Sequence, residues 1–303
     1  MRHKPVLLNE VLNLLNLSPG MIAVDGTLGG GGHAVEMMKA IAPTGRLIAV
    51  DQDPAALKRA KARFETPACR VDFEHENFRN LPTVLSRLNV SAVDAVLLDI
   101  GFSSDQLEDA GRGFSFEREG PLDMRMNPEL ETTASDFVNH LEEEGLANMF
   151  YQYGEERHSR RIARVLCERR QKALFITTQD LAETVAHAMS RGRKSKYTKP
   201  NYPRGRHPAT RVFQSLRIAV NDELGALQEG LDRIWPAIRK GGRLGVISFH
   251  SLEDRIVKRT FLRWKADASG ALVTKKPVTP GQAEIRENPR SRSAKLRVVE
   301  KSV

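Results

Sequence analysis

Cysteine is scarce in this chain of 303 residues: Cys69 and Cys167 are the only two, far apart and without CxxC spacing or Cys/His clustering. That excludes a disulfide framework and gives no basis for a zinc or other metal site. Long apolar runs are missing as well. None approaches the roughly 18–20 residues of a membrane span, and the opening "MRHKPVLLNEVLNLL" lacks the small-residue cleavage site of a secretory signal, so a cytoplasmic protein with no membrane partner is expected. Acidic residues are in deficit, 38 against 47 Lys plus Arg, and the resulting net charge of +9 favours a polyanionic partner. Hydrophobic residues at 40% and charged residues at 28% are ordinary for a globular protein, and the length suits one large domain or two modest ones.

The first third alternates short apolar runs with helical patterns. "MIAVDG" (21–26), "RLIAVDQD" (46–53), "CRVDFEHENF" (69–78) and "VDAVLLDIG" (93–101) read as strands; "HAVEMMKAIA" and "PAALKRAKARF" read as helices, the second opened by Asp53 as N-cap and Pro54 in the first turn. Near-continuous apolar strands separated by helices predict an α/β domain with a doubly wound, mostly parallel sheet covered on both faces. From about 105 to 208 the strands stop and polar helical patterns take over, such as "TTASDFVNHLEEEGLANMFYQYG" and "TTQDLAETVAHAMSR", followed by the basic, Pro/Gly-containing hinge "GRKSKYTKPNYPRGRHP". The α/β texture then returns with one long helix, "TRVFQSLRIAVNDELGALQEGLDRIWPAI", and the strands "RLGVISF" (243–249) and "AKLRVVEK" (294–301). The expected organisation is a discontinuous domain, 1–104 and 209–303, carrying an inserted all-helical domain at 105–208.

The segment "DGTLGGGGH", Asp25 to His33, sets four consecutive glycines between a strand and a helix. Such a turn lets a ligand approach the backbone without interference from Cβ atoms and presents amide donors. Its spacing fits either a dinucleotide loop or the looser glycine loop of S-adenosylmethionine enzymes. Asp51, about twenty residues on at the end of the second strand, is placed to accept hydrogen bonds from both hydroxyls of a ribose, which both ligands carry. His33 favours an amino-acid head group over a diphosphate. Phe78, after the third strand, is placed either to lie against an adenine or simply to pack. "DIGFSS", Asp99 to Ser104, ends the fourth strand where amine methyltransferases carry a D/N-P-P-aromatic segment; Asp99 and Phe102 match its first and fourth positions, while Ile100 and Gly101 replace the prolines.

Together "DGTLGGGGH", "VDQDPAA", "DIGFSSDQLEDAGRGFSFEREGPLDMRM", "RHPATRVFQSLRIAVNDEL", "ISFHSLEDRIVK" and "NPRSRSAKLR" resemble the bacterial small-subunit rRNA cytosine-N4 methyltransferases, the RsmH/MraW family, across nearly the whole chain. The resemblance implies a class I S-adenosylmethionine-dependent methyltransferase fold with a helical insert. The implied activity is methylation of the exocyclic N4 of a cytosine in 16S rRNA, position 1402 in the usual ribosomal numbering, in the decoding region, within the small ribosomal subunit. It places cofactor contacts on Gly31, Gly32, His33, Asp51, Phe78, Asp99 and Gln106. Departures from the family pattern fall at Gly30, Ala34, Phe102 and Asn127.

Cytosine N4 is a poor nucleophile, because its lone pair is delocalised into the ring. An acceptor for one of its N–H groups is therefore needed, and Asp99 is the catalytic candidate. Asp123, Arg125, His250 and Ser251 are base-pocket candidates, with helix capping as the other reading of His250. Lys194, Lys196, Lys199, Arg204, Arg206, Arg290 and Arg292 are expected on RNA phosphates, and Tyr197 and Tyr202 on bases. A nicotinamide oxidoreductase, a non-catalytic assembly factor and a small-molecule amine methyltransferase are the rival readings, and a homodimer is compatible with the sequence without being indicated by it.

Overall fold

The computed structural model describes residues 5–64, 66–101, 104–190 and 207–303. The chain divides into two compact units, one formed by Met1–Ser103 with Leu224–Val303 and the other by Ser104–Glu223.

The first unit is built on one seven-stranded sheet. Its strands are β1 (Ile22–Asp25), β2 (Arg46–Asp51), β3 (Arg70–His75), β4 (Val93–Asp99), β5 (Ile238–Ser248), β6 (Gly270–Leu272) and β7 (Lys295–Lys301), in the spatial order β3-β2-β1-β4-β5-β7-β6. The five strands from β3 to β5 run parallel, and β7 and β6 close the other edge antiparallel. Alternation along the strands feeds two cores. Ala23, Leu47, Ala49, Ala95 and Leu97 face one layer, packed under helices α1 (Leu8–Leu15), α2 (Gly32–Ile41) and α3 (Pro54–Lys61). Val24, Ile48, Val50, Val96 and Leu98 face the other, under α4 (Leu81–Arg87), α11 (Glu223–Ile234) and α12 (Ser251–Ala266). Burial on both faces is why these strands read as continuous apolar runs. The strand order reverses between β1 and β4, and the ligand crevice of such sheets lies there, at the carboxyl ends of the strands.

The second unit is helical among its described residues: α5 (Ser104–Glu108), α6 (Ala134–His140), α7 (Glu143–Gly154), α8 (Ser159–Arg170), α9 (Thr178–Met189) and α10 (Thr210–Asn221). Thr133 and Asp136 form a reciprocal capping box at the start of α6, and Thr177 caps α9. Leu146, Phe150, Ile162, Leu166, Phe175, Val185 and Leu216 fill its core.

Two expectations need correction. The single long helix expected from 210 onward is two helices, α10 and α11, because Asp222 takes a left-handed conformation (φ 46°) that ends α10. With that break α10 belongs to the helical unit, so the contact boundary falls after Glu223 rather than after 208. The short edge strand β6 carries no sequence signal, being three residues long. The expected capping of α3 is found: the Asp53 carboxylate accepts the Ala55 N–H at 2.9 Å, with Pro54 in the first turn.

Candidate functional site

The crevice of the first unit is lined by the chain segments that leave the carboxyl ends of β1, β2 and β4. Beyond β1 the chain turns through Gly26–Gly31 into α2, with Gly29 (φ 49°) and Gly31 (φ 74°) in the left-handed region that favours glycine. The bare positions also serve the protein's own packing. A Cβ on Gly32 would meet Pro5 Cγ at 2.5 Å, and one on Gly26 would meet Leu98 Cδ2 at the same distance.

Two strand-tip carboxylates brace this loop. Asp51, at the end of β2, accepts the Gly29 N–H on Oδ2 (2.7 Å) and the Asp53 N–H on Oδ1 (2.8 Å). Each oxygen retains a second lone pair. Burial pushes the Asp51 pKa up to about 6, against the lowering effect of those two donors. Asp25, at the end of β1, is 1% exposed and accepts the Thr27 N–H at 3.1 Å; burial raises it to about 7, opposed first by His33.

Asp99 ends β4. Its backbone N–H donates to Thr27 Oγ1 at 2.6 Å, and its Oδ2 lies 3.5 Å from His33 Nδ1. Oδ1 is buried and has no hydrogen-bond partner among the described residues. Burial, reinforced by the charge of Glu253, raises Asp99 to about 7. His33 is itself buried on the first turn of α2; its Nε2 bonds to the Val6 carbonyl at 2.8 Å, and burial holds its pKa below the ordinary value. Glycine loop, His33, Asp51 and Asp99 therefore converge. Asp25 and Thr27 belong to the same network and were not singled out by sequence, since neither sits in a recognisable spacing.

Other expected residues of the first unit lie on segments beside this network: a Cβ on Gly26 would meet Phe78 Cβ at 3.4 Å, and Glu253, the partner of His250, acts on Asp99. Phe78 begins a short 3-10 turn and is half-buried; a Cβ on Gly230 would meet its ring at 2.7 Å, so the ring packs on α11. Beside it Asn77 donates to the Gln52 side chain (2.8 Å) and Glu76 accepts from Asn77 and Asn80. His250 is the N-cap of α12 in a reciprocal box with Glu253: its backbone N–H donates to Glu253 Oε2 (3.1 Å), and its Nδ1 accepts the Glu253 N–H at 3.4 Å. Capping accounts for the backbone N–H and Nδ1 of His250, while its Nε2 lies 3.0 Å from Glu253 Oε1, buried with no hydrogen-bond partner among the described residues; Ser251 is exposed at the first turn. Arg290 and Arg292 are exposed on the 3-10 segment Pro289–Ser293.

In the helical unit Gln106 is buried on α5. Arg125 is bound bidentately to Asp123 (2.9 and 2.7 Å) and donates to the carbonyls of Pro128 and Leu130, so the pair clamps its own loop. Burial raises Asp123, but the hydrogen bonds and charge of Arg125 outweigh it and leave the carboxyl below its ordinary range. Lys194, Lys196, Tyr197, Lys199, Tyr202, Arg204 and Arg206, and likewise Phe102, lie outside the described residues. A basic feature that the sequence pattern did not bring forward is present instead: Arg157 before α8, and Arg160, Arg161 and Arg164 on it, are all exposed. Its signal was the arginine density of "RHSRRIARVLCERR".

A doubly wound sheet in the order 3-2-1-4-5-7-6, with a glycine loop after β1 and acids at the tips of β2 and β4, defines a class I methyltransferase, the class that uses S-adenosylmethionine as methyl donor. The model of the MraW methylase family matches residues 1–302, and the chain belongs to that family. Among curated proteins it is similar to "Ribosomal RNA small subunit methyltransferase H" of Deinococcus deserti, with 50% identity over 99% of this chain and 94% of that protein. It is similarly related to the protein of the same name from Magnetococcus marinus, with 46% identity over 99% of this chain and 98% of that protein.

The residues present fit the donor. Asp99 Oδ1 is a buried acceptor with no partner among the described residues, and Asp51 retains lone pairs for hydroxyl groups.

Proposed function

We propose that this protein methylates the exocyclic N4 of a cytosine in the decoding region of 16S rRNA, using S-adenosylmethionine. The observation that carries the reading is Asp99 Oδ1: a carboxylate oxygen at the tip of β4, next to the glycine loop, buried without a hydrogen-bond partner among the described residues. A buried acceptor left open in this way is costly unless a ligand fills it, and an amino N–H is the donor that the reaction requires.

When bound, S-adenosylmethionine supplies a methyl group on a positively charged sulfur that leaves as a neutral thioether. The chain's own part is to bind and orient. Asp51 takes the ribose hydroxyls, and the backbone of Gly31, Gly32 and His33 takes the remaining polar groups of the donor; the His33 ring, engaged by Val6 and Asp99, is not among them. Phe78, with Asn77 and Glu76, borders the base. Gln106 remains assigned by resemblance to the family. Asp99 accepts an N–H of the target amine, which draws the nitrogen toward the tetrahedral geometry of the transition state and orients its lone pair; one N–H proton of the methylated nitrogen is then released to solvent, so that the product amine is neutral.

Ribosomal RNA as the substrate is supported by the names of the relatives and by exposed cations: Arg290 and Arg292 in the first unit, and Arg157, Arg160, Arg161 and Arg164 in the helical unit. The test is to incubate the protein with labelled donor and small ribosomal subunits from a strain lacking the modification, then map the product by mass spectrometry. N4-methylcytosine in the decoding region is the expected product; a methyl group on carbon 5, or transfer to DNA alone, contradicts the reading.

A further inference from the structure

The contacts of His33 run in two directions. Nε2 lies 2.8 Å from the Val6 carbonyl, an acceptor only, so this nitrogen carries the hydrogen of the neutral ring. Nδ1 is then a bare lone pair, 3.5 Å from Asp99 Oδ2. The ring cannot turn over without losing its bond to Val6. Asp99 consequently has two unlike oxygens: Oδ2 faces an acceptor, and Oδ1 faces no donor among the described residues.

We propose that His33 is a positioning residue for the reaction, holding the proton of a protonated Asp99 on Oδ2 so that Oδ1 stays an acceptor for the substrate amine in both protonation states. The inference rests on the reading of Asp99 given above and adds which oxygen does the work and why. A carboxylic acid whose hydrogen points at Nδ1 still offers its carbonyl oxygen to an N–H. A carboxylic acid without that partner can place the hydrogen on Oδ1, which removes the acceptor. The 3.5 Å separation is long for a hydrogen bond and is of the kind that tightens when an active site fills.

Charged groups act on the pair from several elements. Asp25 on β1 and Glu284 on α13 (Gln282–Glu287) both act to keep a proton on His33, while burial acts against it and prevails. Glu253 on α12 acts on Asp99 in the direction of protonation. Asp51 on β2 acts on Asp25. In the donor-free protein Asp99 is thus raised to about 7 and His33 held neutral, the condition in which the placement of one proton matters.

The test uses the whole protein. His33→Gln keeps a side-chain N–H for Val6 but withdraws the Nδ1 lone pair; His33→Asn keeps an acceptor oxygen near Nδ1. Turnover of His33→Gln is expected to fall at least about tenfold on the acid side of the pH profile and to recover on the basic side, where Asp99 is ionised whatever its neighbour. His33→Asn should lose less on the acid side. A purely structural role would lower both variants equally at every pH, and that result overturns the proposal. In the cofactor-free wild-type protein, nitrogen-15 NMR of the ring should show Nε2 protonated and an Nδ1 signal that follows the titration of Asp99, a response lost in Asp99→Asn. A ring protonated on Nδ1, or one indifferent to Asp99→Asn, overturns the pairing and leaves the function of Asp99 standing. An Asp99→Asn enzyme with normal turnover overturns the reading of Asp99, and with it the role given to His33.

Discussion

Thr27 and Asp99 tie the two sides of the crevice together: the Asp99 backbone N–H donates to Thr27 Oγ1 at 2.6 Å, joining the loop after β1 to the tip of β4. The glycine loop is therefore fixed at both strand tips, by Thr27 on Asp99 and by Gly29 on Asp51. Asp51 holds the loop by its carboxylate and Asp99 by its backbone N–H.

Because Asp99 offers a buried acceptor that no described residue fills, Asp99→Ala should lower turnover by about a hundredfold or more while changing donor affinity far less. Isothermal titration with S-adenosylhomocysteine beside steady-state rates checks this. Equal losses in both would make Asp99 a binding residue only.

The close approach of Pro5 to Gly32 predicts a penalty that is one of packing. Gly32→Ala should destabilise the fold by about 1–3 kcal/mol, since its Cβ would overlap the Pro5 ring. Pro5→Ala in the same chain should recover part of the loss in chemical denaturation; no recovery would place the strain elsewhere.

The buried carboxylates fix the sign of a pH effect. Asp25 is raised from 3.8 to about 7, so the folded state binds more protons than the unfolded chain between those values. Its contribution to stability is complete below the unfolded pKa and is lost as pH rises through about 7. Asp51 and Asp99 act in the same direction, and His33, whose pKa is lowered, acts in the opposite one. Denaturant unfolding at about pH 5.5 and about pH 7.5 should show Asp25→Asn losing less stability over that interval than the wild type. A steeper loss in the variant would contradict the assignment.

The exposed arginines of α8 predict a salt-dependent interaction. RNA affinity should fall with rising salt, and each phosphate contact removed by Arg160→Ala or Arg161→Ala should reduce the slope of log affinity against log salt by about 1. Filter binding across a salt series reads this directly. An unchanged slope would show that α8 makes no phosphate contact.

The sheet, the glycine turn and the acids Asp51 and Asp99 were legible in the sequence because each lies at a strand end marked by a continuous apolar run, and strand ends are where an α/β sheet presents its ligands. The parting of α10 from α11 was not legible. Asp222 is an unremarkable polar residue in a helical pattern, and no glycine or proline marks the break. Thr27 and Asp25 escaped for a different reason: their roles are hydrogen bonds made in the folded loop and across strands, which only the assembled sheet reveals. For His250 the sequence left two readings, base pocket and helix cap, and the cap is formed, in a reciprocal box with Glu253.

The most direct test is a crystal structure with S-adenosylhomocysteine bound. The account predicts the nucleoside in the crevice, its ribose hydroxyls on the Asp51 carboxylate and its sulfur end toward Asp99. An empty crevice with the ligand lodged elsewhere, or a ribose that makes no contact with Asp51, would contradict it.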